Sequence, residues 1–396
     1  ALVVAGRTEG KLPGIDETKA GTDAFVAKYD SHGRRQWIQP IATDGDEAVT
    51  SVTTGGSRDI YVAGRSNGEI GGGGAIMGNS SGFVAKLSSG GQQEWIKRID
   101  SEGDKDELDR DVINDVVVSE DENLVFAAGA IGGEIDGETT QGDTDGYVAA
   151  LRVSDGTETW SKLIRRTRTG ILNGAALRDD GTLLVAGLES ERADGTIAGS
   201  QWDVYLAKFT AADGTLEAER QFGSPDDSER AQDVVAGADY GTPGTETHPP
   251  VVGGSITKLE TSQRPNAFLE RRSEDLVNSS WEKVVSADKT VNVQALGIDE
   301  GQTLHLVGWT NDDIKPSDQV EPIGGEDAFL IKRQDSDNAN FTGVRYFGSQ
   351  ADDAALDIAI GSDAQGDEAF IVGWTKGAVG EGTNAGKKDG FIVKLP

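Results

Sequence analysis

The chain has 396 residues, 54 of them glycine and 10 proline, and no cysteine, which excludes disulfides, thiolate metal sites and cysteine nucleophiles. Its formal net charge is −31 and its pI is near 4.4, so nucleic acid and anionic membrane surfaces are poor partners. No apolar run reaches membrane-spanning length, and direct membrane insertion is not expected.

The chain opens on an apolar run that closes on glycine, Leu2-Val3-Val4-Ala5-Gly6. It returns as Ile60–Gly64, Val125–Gly129, Leu183–Gly187, Val251–Gly254, Leu304–Gly308 and Phe370–Gly373. Short apolar runs rich in β-branched residues read as buried strands, and the closing glycine suits a bulge or a close backbone approach. We call this strand b. A Gly-rich loop follows, and then a phrase first seen as Asp23-Ala24-Phe25-Val26-Ala27-Lys28. Its aromatic position recurs at Phe83, Tyr147, Tyr205, Phe268, Phe329 and Phe391, spaced by 58 to 64 residues. This is strand c. It ends on a basic residue (Lys28, Lys86, Lys208, Arg271, Lys332, Lys394) except at Ala150.

Tight polar turns such as Asp30-Ser31-His32-Gly33 and Ser154-Asp155-Gly156-Thr157 lead into strand d, which carries Trp37, Trp95, Trp160 or Trp281. In two other copies the pattern is looser and ends in Phe222-Gly223 or Phe347-Gly348. An acidic corner then leads to a short, small-sided strand a, such as Ala48-Val49-Thr50-Ser51-Val52. Small side chains suit a crowded centre.

Four-stranded units repeated seven times predict an all-β, seven-bladed β-propeller with antiparallel blades. A β-solenoid would have shorter repeats and no b–c–d hairpin grammar. The whole chain, 1–396, reads as one propeller domain, with blades near 1–43, 44–101, 102–166, 167–224, 225–286, 287–349 and 350–396. Helical periodicity with caps is missing, so almost no helix is expected. The chain starts at strand b of blade 1 and stops at strand c of blade 7. Strand a of blade 1 and strand d of blade 7 are therefore expected to be absent, leaving ring closure incomplete. The missing pieces are consecutive in the repeat, which suggests part of a larger polypeptide or assembly. Residues 241–250, with three prolines, read as a longer surface loop.

These units resemble the bacterial seven-bladed β-propeller repeat family. Gly308-Trp309-Thr310, Asp327-Ala328-Phe329, Phe347-Gly348 and Asp352-Asp353 match its pattern in order, and the likeness runs along essentially the whole chain. Repeat 5 departs most, with Asn266 in place of the aspartate and no Phe-Gly. The resemblance implies a secreted or cell-surface bacterial protein, often one module of a larger adhesin-like chain. It carries no catalytic residues over to this chain.

The residues themselves offer little chemistry. His32, His248 and His305 do not pair at metal-ligand spacing, and His305 falls inside strand b. Gly78-Asn79-Ser80-Ser81-Gly82 matches the hydrolase G-x-S-x-G string, but it enters a strand from a Gly-rich loop rather than forming a strand-to-helix elbow. The once-per-repeat tryptophans of strand d suit packing between blades. Trp309 and Trp374 differ, because they follow the glycine of strand b and would reach the face bearing the b–c and d–a loops, where a sugar could stack on them.

That face should also gather the acidic corners. Asp104, Asp106, Asp109, Asp111, Asp227, Asp352 and Asp353 are the candidate metal ligands, and Ca²⁺ is the cation such hard oxygen ligands would suit. The plain alternative is that these acids cap turns and keep the face soluble. The aspartate opening strand c reads as a turn-to-strand hydrogen-bonding residue. The sequence thus predicts no enzyme, but a structural or interaction module whose acidic loop face docks a protein or glycan at the cell surface. A Ca²⁺- or carbohydrate-binding module is the alternative. A hydrolase or lyase would need a converging acid pair or a histidine at the channel mouth.

Overall fold

The fold was obtained as a computed structural model. It describes residues 1–12, 14, 21–72, 74, 79–102, 111–121, 123–141, 143–164, 169–190, 202–224, 227–237, 249–258, 266–285, 290–314, 322–335, 340–363, 366–380, 384 and 386–395. The chain is an all-β, seven-bladed propeller with no helix among the described residues. Blade 1 has strands b, c and d at Leu2–Thr8, Asp23–Tyr29 and Arg35–Ile41. Blade 2 runs Glu47–Thr54, Ile60–Ser66, Ser81–Leu87 and Gln93–Ile99 in the order a-b-c-d. Blade 3 runs Val112–Val118, Leu124–Ile131, Asp145–Arg152 and Glu158–Ile164. A two-stranded ribbon, Glu134–Ile135 with Glu138–Thr139, sits in its b–c loop.

Blade 4 is Gly170–Leu177, Thr182–Glu189, Asp203–Thr210 and Leu216–Phe222. Blade 5 is Asp227–Ala236, Pro250–Lys258, Asn266–Arg272 and Ser279–Val285. Blade 6 is Val291–Ile298, Thr303–Thr310, Asp327–Gln334 and Phe341–Phe347. Blade 7 has only strands a, b and c, at Asp353–Asp363, Gly366–Thr375 and Asp389–Leu395. The two three-stranded sheets therefore stand where incomplete closure was expected. The chain divides into two compact units, Ala1–Ile197 with Lys208–Glu217, and Ala198–Ala207 with Ala218–Pro396.

Within each unit the core lies between successive sheets. Tyr61, Ala63 and Val84 of blade 2 interleave with Ile113, Val116, Val125 and Tyr147 of blade 3. In the second unit Leu269 and Trp281 of blade 5 pack with Val293, Leu306 and Phe329 of blade 6. Alternation along strand c puts its aromatic residue into these layers, and each such layer removes enough apolar surface to hold two sheets together.

Two recurring devices explain the repeat. First, strand a of blades 2 to 7 carries a bulge, in blade 2 between Val49 and Ser51. The bulge turns a carbonyl towards strand b. A β-carbon on Gly64 would meet Ala48 O at 2.1 Å, and Gly308 would meet Asn292 O at 1.8 Å. Only glycine fits beside the bulge. The aromatic residue of strand c pairs with this glycine, as Phe83 does with Gly64 and Phe329 with Gly308, and the Phe83 ring stands 2.9 Å from the place of a Gly64 β-carbon.

Second, the tryptophan of strand d closes on the c–d turn of the next blade. A β-carbon on Gly91, Gly156 or Gly214 would stand 2.9, 2.8 or 2.6 Å from the ring of Trp37, Trp95 or Trp160. These glycines also hold left-handed φ values of 87°, 70° and 69°. Trp95 Nε1 donates to Val153 O at 2.9 Å, and Trp160 Nε1 to Ala211 O at 3.0 Å. In blade 5 the partner changes, since the Arg333 guanidinium lies 3.7 Å over the Trp281 ring and is fully buried. The tryptophan series is thus inter-blade packing, as its spacing implied.

Candidate functional site

In blades 1 to 6, strand b ends and strand c begins at the edge where strand d ends and the next strand a begins. This edge carries the b–c loops and the d–a corners. The acid that opens strand a is drawn into the corner. Glu47, 1% exposed, accepts the Thr43 amide at 2.7 Å and the Ser66 hydroxyl at 2.7 Å. Asp111, also 1% exposed, accepts the Ser101 amide at 2.6 Å and the Gly132 amide at 2.9 Å. Asp353, fully buried, accepts the Ser349 amide at 2.6 Å and its hydroxyl at 3.0 Å. A buried carboxylate is tolerable when several donors converge on it, and here those donors are amides and hydroxyls of the corner.

The remaining candidate metal ligands are scattered. Asp227 opens strand a of blade 5 and is half-buried. Asp352 is ion-paired with Lys376 Nζ at 2.7 Å, and that hydrogen bond holds its carboxyl below the usual range. Asp104, Asp106 and Asp109 lie outside the described residues. Among the described residues no group of three or more histidine, aspartate or glutamate side chains converges to hold a metal ion. The aspartate opening strand c caps its own loop: Asp145 accepts the Gln141 amide at 3.0 Å, and Asp327 accepts the Gly324 amide at 3.1 Å. Burial pushes the Asp327 carboxyl up, and Asp353 and Asp352 add to the rise.

The G-x-S-x-G serines are tied down, Ser80 to the Asp111 carbonyl at 3.0 Å and Ser81 to the Asp100 carboxylate at 2.7 Å. His305 is buried, with Nε2 2.9 Å from Asp299 Oδ2. The long loop at 241–248 lies outside the described residues.

The position after the strand-b glycine behaves differently from the corners. Its occupants lie at the loop edge of the sheet. Trp309 pairs across the sheet with Asn292 and Ala328 and is half-buried. Trp374 carries the Lys388 ammonium 3.4 Å above its ring, so one face of the indole is already covered. The same register position in blades 1 and 2 holds Arg7 and Arg65, paired with Ala24 and Gly82 respectively. Sequence reasoning picked out the tryptophans at this position and passed over the arginines. Aligning the seven copies on their glycines would have found them.

Arg7 and Arg65 line a polar cleft of about 470 Å³ between blades 1 and 2, with Thr22, Asn67, Asn79 and Ser80. Among the described residues Ala48 is its one apolar lining residue, and Asp46 and Glu47 complete that lining. Both acids are engaged. Asp46 Oδ1 accepts the Thr22 amide at 2.7 Å, and Asn67 Oδ1 accepts the Asp46 amide. The Thr22 amide, with help from Asn67 and Arg65, holds the Asp46 carboxyl below its usual range. The Glu47 carboxylate is taken up by the corner. Arg7 is exposed and has no hydrogen bond or ion pair among the described residues.

No protein-family model matches the chain, and no curated protein matches it. Solved structures of similar fold are found. The periplasmic gluconolactonase PpgL of Pseudomonas aeruginosa is 11% identical with a TM-score of 0.49, all of each chain being covered. Hydrazine synthase of Kuenenia stuttgartiensis is 9% identical with a TM-score of 0.48, over 82% of this chain and 73% of that one. The quinohemoprotein alcohol dehydrogenase ADHIIG of Pseudomonas putida HK5 is 10% identical with a TM-score of 0.44, over 89% of this chain and 61% of that one. The likeness is one of fold.

It corrects one expectation. The chain was expected to be no enzyme, but proteins of like fold include a gluconolactonase and an alcohol dehydrogenase. A propeller built on repeats does not exclude catalysis, because activity resides in sites grafted onto the fold. At these identities none of those activities passes to this chain.

Proposed function

We propose that the protein is a binding module of the bacterial seven-bladed propeller repeat family, secreted or held at the cell surface, whose b–c and d–a loop edge docks a protein or glycan. One observation carries this reading. The cleft between blades 1 and 2 is of small-molecule size and, among the described residues, is lined almost wholly by polar groups, one of them the exposed Arg7, which has no partner among those residues. The corner acids support it indirectly, since they fix the loops from beneath while the position after the strand-b glycine varies from blade to blade. A regular frame with variable loop positions is how repeat proteins build recognition surfaces. The four matched motifs support the family assignment, and the net charge of −31 suits solubility outside the cell.

The test is binding of the whole chain to a panel of surface polysaccharides and matrix proteins, followed by biolayer interferometry. Ala48→Tyr puts a bulky side chain into the cleft from a residue that lines it. Glu120→Tyr, in an exposed a–b turn at the other end of its blade, is the control. Ala48→Tyr should abolish binding of a panel member that Glu120→Tyr still binds. Binding that survives Ala48→Tyr, or a panel with no binder, would contradict the proposal.

A further inference from the structure

We infer that the cleft between blades 1 and 2 takes a carboxylated saccharide, a short uronate oligomer, with the sugar carboxylate seated on Arg7. The inference rests on the reading of this loop edge as a docking surface and names the ligand class.

The chemistry of the lining selects the class. Arg7 offers a planar fork of donors with no partner of its own among the described residues. A carboxylate matches that fork with two parallel hydrogen bonds. Arg65 stands at the same register in the next blade, so its charge adds to the field, although Asp46 offsets part of it. The acids in the cleft do not compete for Arg7, since the Asp46 carboxylate is held by the Thr22 amide and Asn67, and Glu47 by Thr43 and Ser66.

The remaining lining suits hydroxyl groups. Asn79 and Thr22 line the cleft with side-chain types that both donate and accept, as a sugar hydroxyl does, while the Asn67 side chain serves Asp46. Ala48 is the one apolar residue of the lining among the described residues, so those residues offer a peptide side chain little apolar surface to anchor on. The rest of the molecule sets an upper limit on ligand charge. A chain at −31 repels long or highly sulfated polyanions at a distance, so a short ligand with one seated carboxylate fits better than a dense polyanion.

The test is isothermal titration of the full chain with short oligomers of galacturonate and glucuronate, and with the same oligomers after reduction of their carboxyl groups. At least one uronate should bind, and its reduced form should bind roughly tenfold or more weakly, as expected for loss of a charge-assisted pair. Arg7→Gln should lower uronate affinity by a similar factor, and Arg7→Lys should recover only part of it. Arg7 is exposed, so both variants should keep the wild-type melting temperature. Inorganic phosphate and a glutamate-rich peptide should not displace the uronate.

The inference is overturned by equal binding of the reduced oligomers, by unchanged affinity in Arg7→Gln, by displacement with phosphate or peptide, or by no uronate binding at all. Failure here leaves the docking reading intact if Ala48→Tyr still abolishes binding of some other panel member. If Ala48→Tyr abolishes nothing, the docking reading fails as well.

Discussion

A β-carbon on Gly64 would stand 2.1 Å from the carbonyl oxygen of Ala48, and both residues border the position of Arg65. The bulge in strand a presses that carbonyl against strand b, and the next residue along lines the cleft. Blade 1 lacks strand a, and there a β-carbon on Gly6 would meet nothing nearer than the Phe25 ring at 3.3 Å. Gly64→Ala should therefore cost about 3 kcal/mol, as overpacking against backbone does, whereas Gly6→Ala should stay within about 1 kcal/mol. Urea denaturation of the two variants checks this. Equal costs would mean that the bulge does not dictate the glycine.

The tryptophan latch makes a second prediction. Gly156 and Gly181 have similar left-handed φ values, 70° and 81°, but only Gly156 lies under an indole. Gly181→Ala should cost about 1–2 kcal/mol for conformation alone. Gly156→Ala should cost more, because the Trp95 ring must also move. Trp95→Phe removes the Nε1 bond to Val153 and should cost about 1 kcal/mol beyond its lost packing. Thermal unfolding of the three variants separates these contributions.

The repeat was legible because both latches recur along the chain, a glycine beside each bulge and, from blades 1 to 3, a tryptophan against the next c–d turn. Their period could be read directly, and with it the blades and the strands missing from the first and last sheets. The cleft was not legible in the same way. Its polarity comes from Arg7 and Arg65, which occupy a position filled elsewhere by Ala130, Leu188, Ser255, Trp309 and Trp374. A position that varies leaves no periodic signal, and aromatic side chains draw attention before charged ones do. The burial of the corner acids was not legible either. Counting carboxylates cannot show that Glu47, Asp111 and Asp353 turn inward to accept backbone amides.

Corner burial also makes stability depend on pH. Glu229 is 7% exposed, and burial, with Asp203, Asp227 and Glu282 nearby, raises its carboxyl to about 7 from an ordinary 4.5. The folded state therefore holds this proton more tightly than the unfolded chain. The stability from that difference is fully present below about pH 4.5 and is lost as pH rises through about 7. Glu229→Gln keeps an oxygen for the Ser224 amide, bonded at 3.0 Å, but cannot ionise. Its stability relative to wild type should rise from pH 4.5 to pH 8, as measured by chemical denaturation across that range. A constant difference would contradict the assignment.

Strand a holds a further inter-blade bond. Asp115 Oδ1 accepts the Ser51 hydroxyl at 2.6 Å and the Val116 amide at 2.8 Å, while Oδ2 accepts the Ala175 amide of blade 4 at 2.7 Å. Asp233 repeats the arrangement, reaching the Leu296 amide of blade 6 at 2.8 Å. Asp115→Asn must turn an amide group towards one of these N–H donors, which leaves it unpaired. The expected cost is about 1–3 kcal/mol, read as a lower denaturation midpoint with an unchanged slope.

Ligand docking in the cleft is tested most directly by amide hydrogen exchange with and without a short uronate oligomer. The Thr22 and Asp46 amides already bond across the cleft, to Asp46 and Asn67 respectively. Exchange in segments containing Thr22, Asp46, Asn67 and Ser80 should slow on addition of ligand. The c–d turns at Gly33 and Gly91, at the opposite ends of the same blades, should be unaffected. Slowing confined to those turns, or no change around the cleft at saturating ligand, would contradict the account.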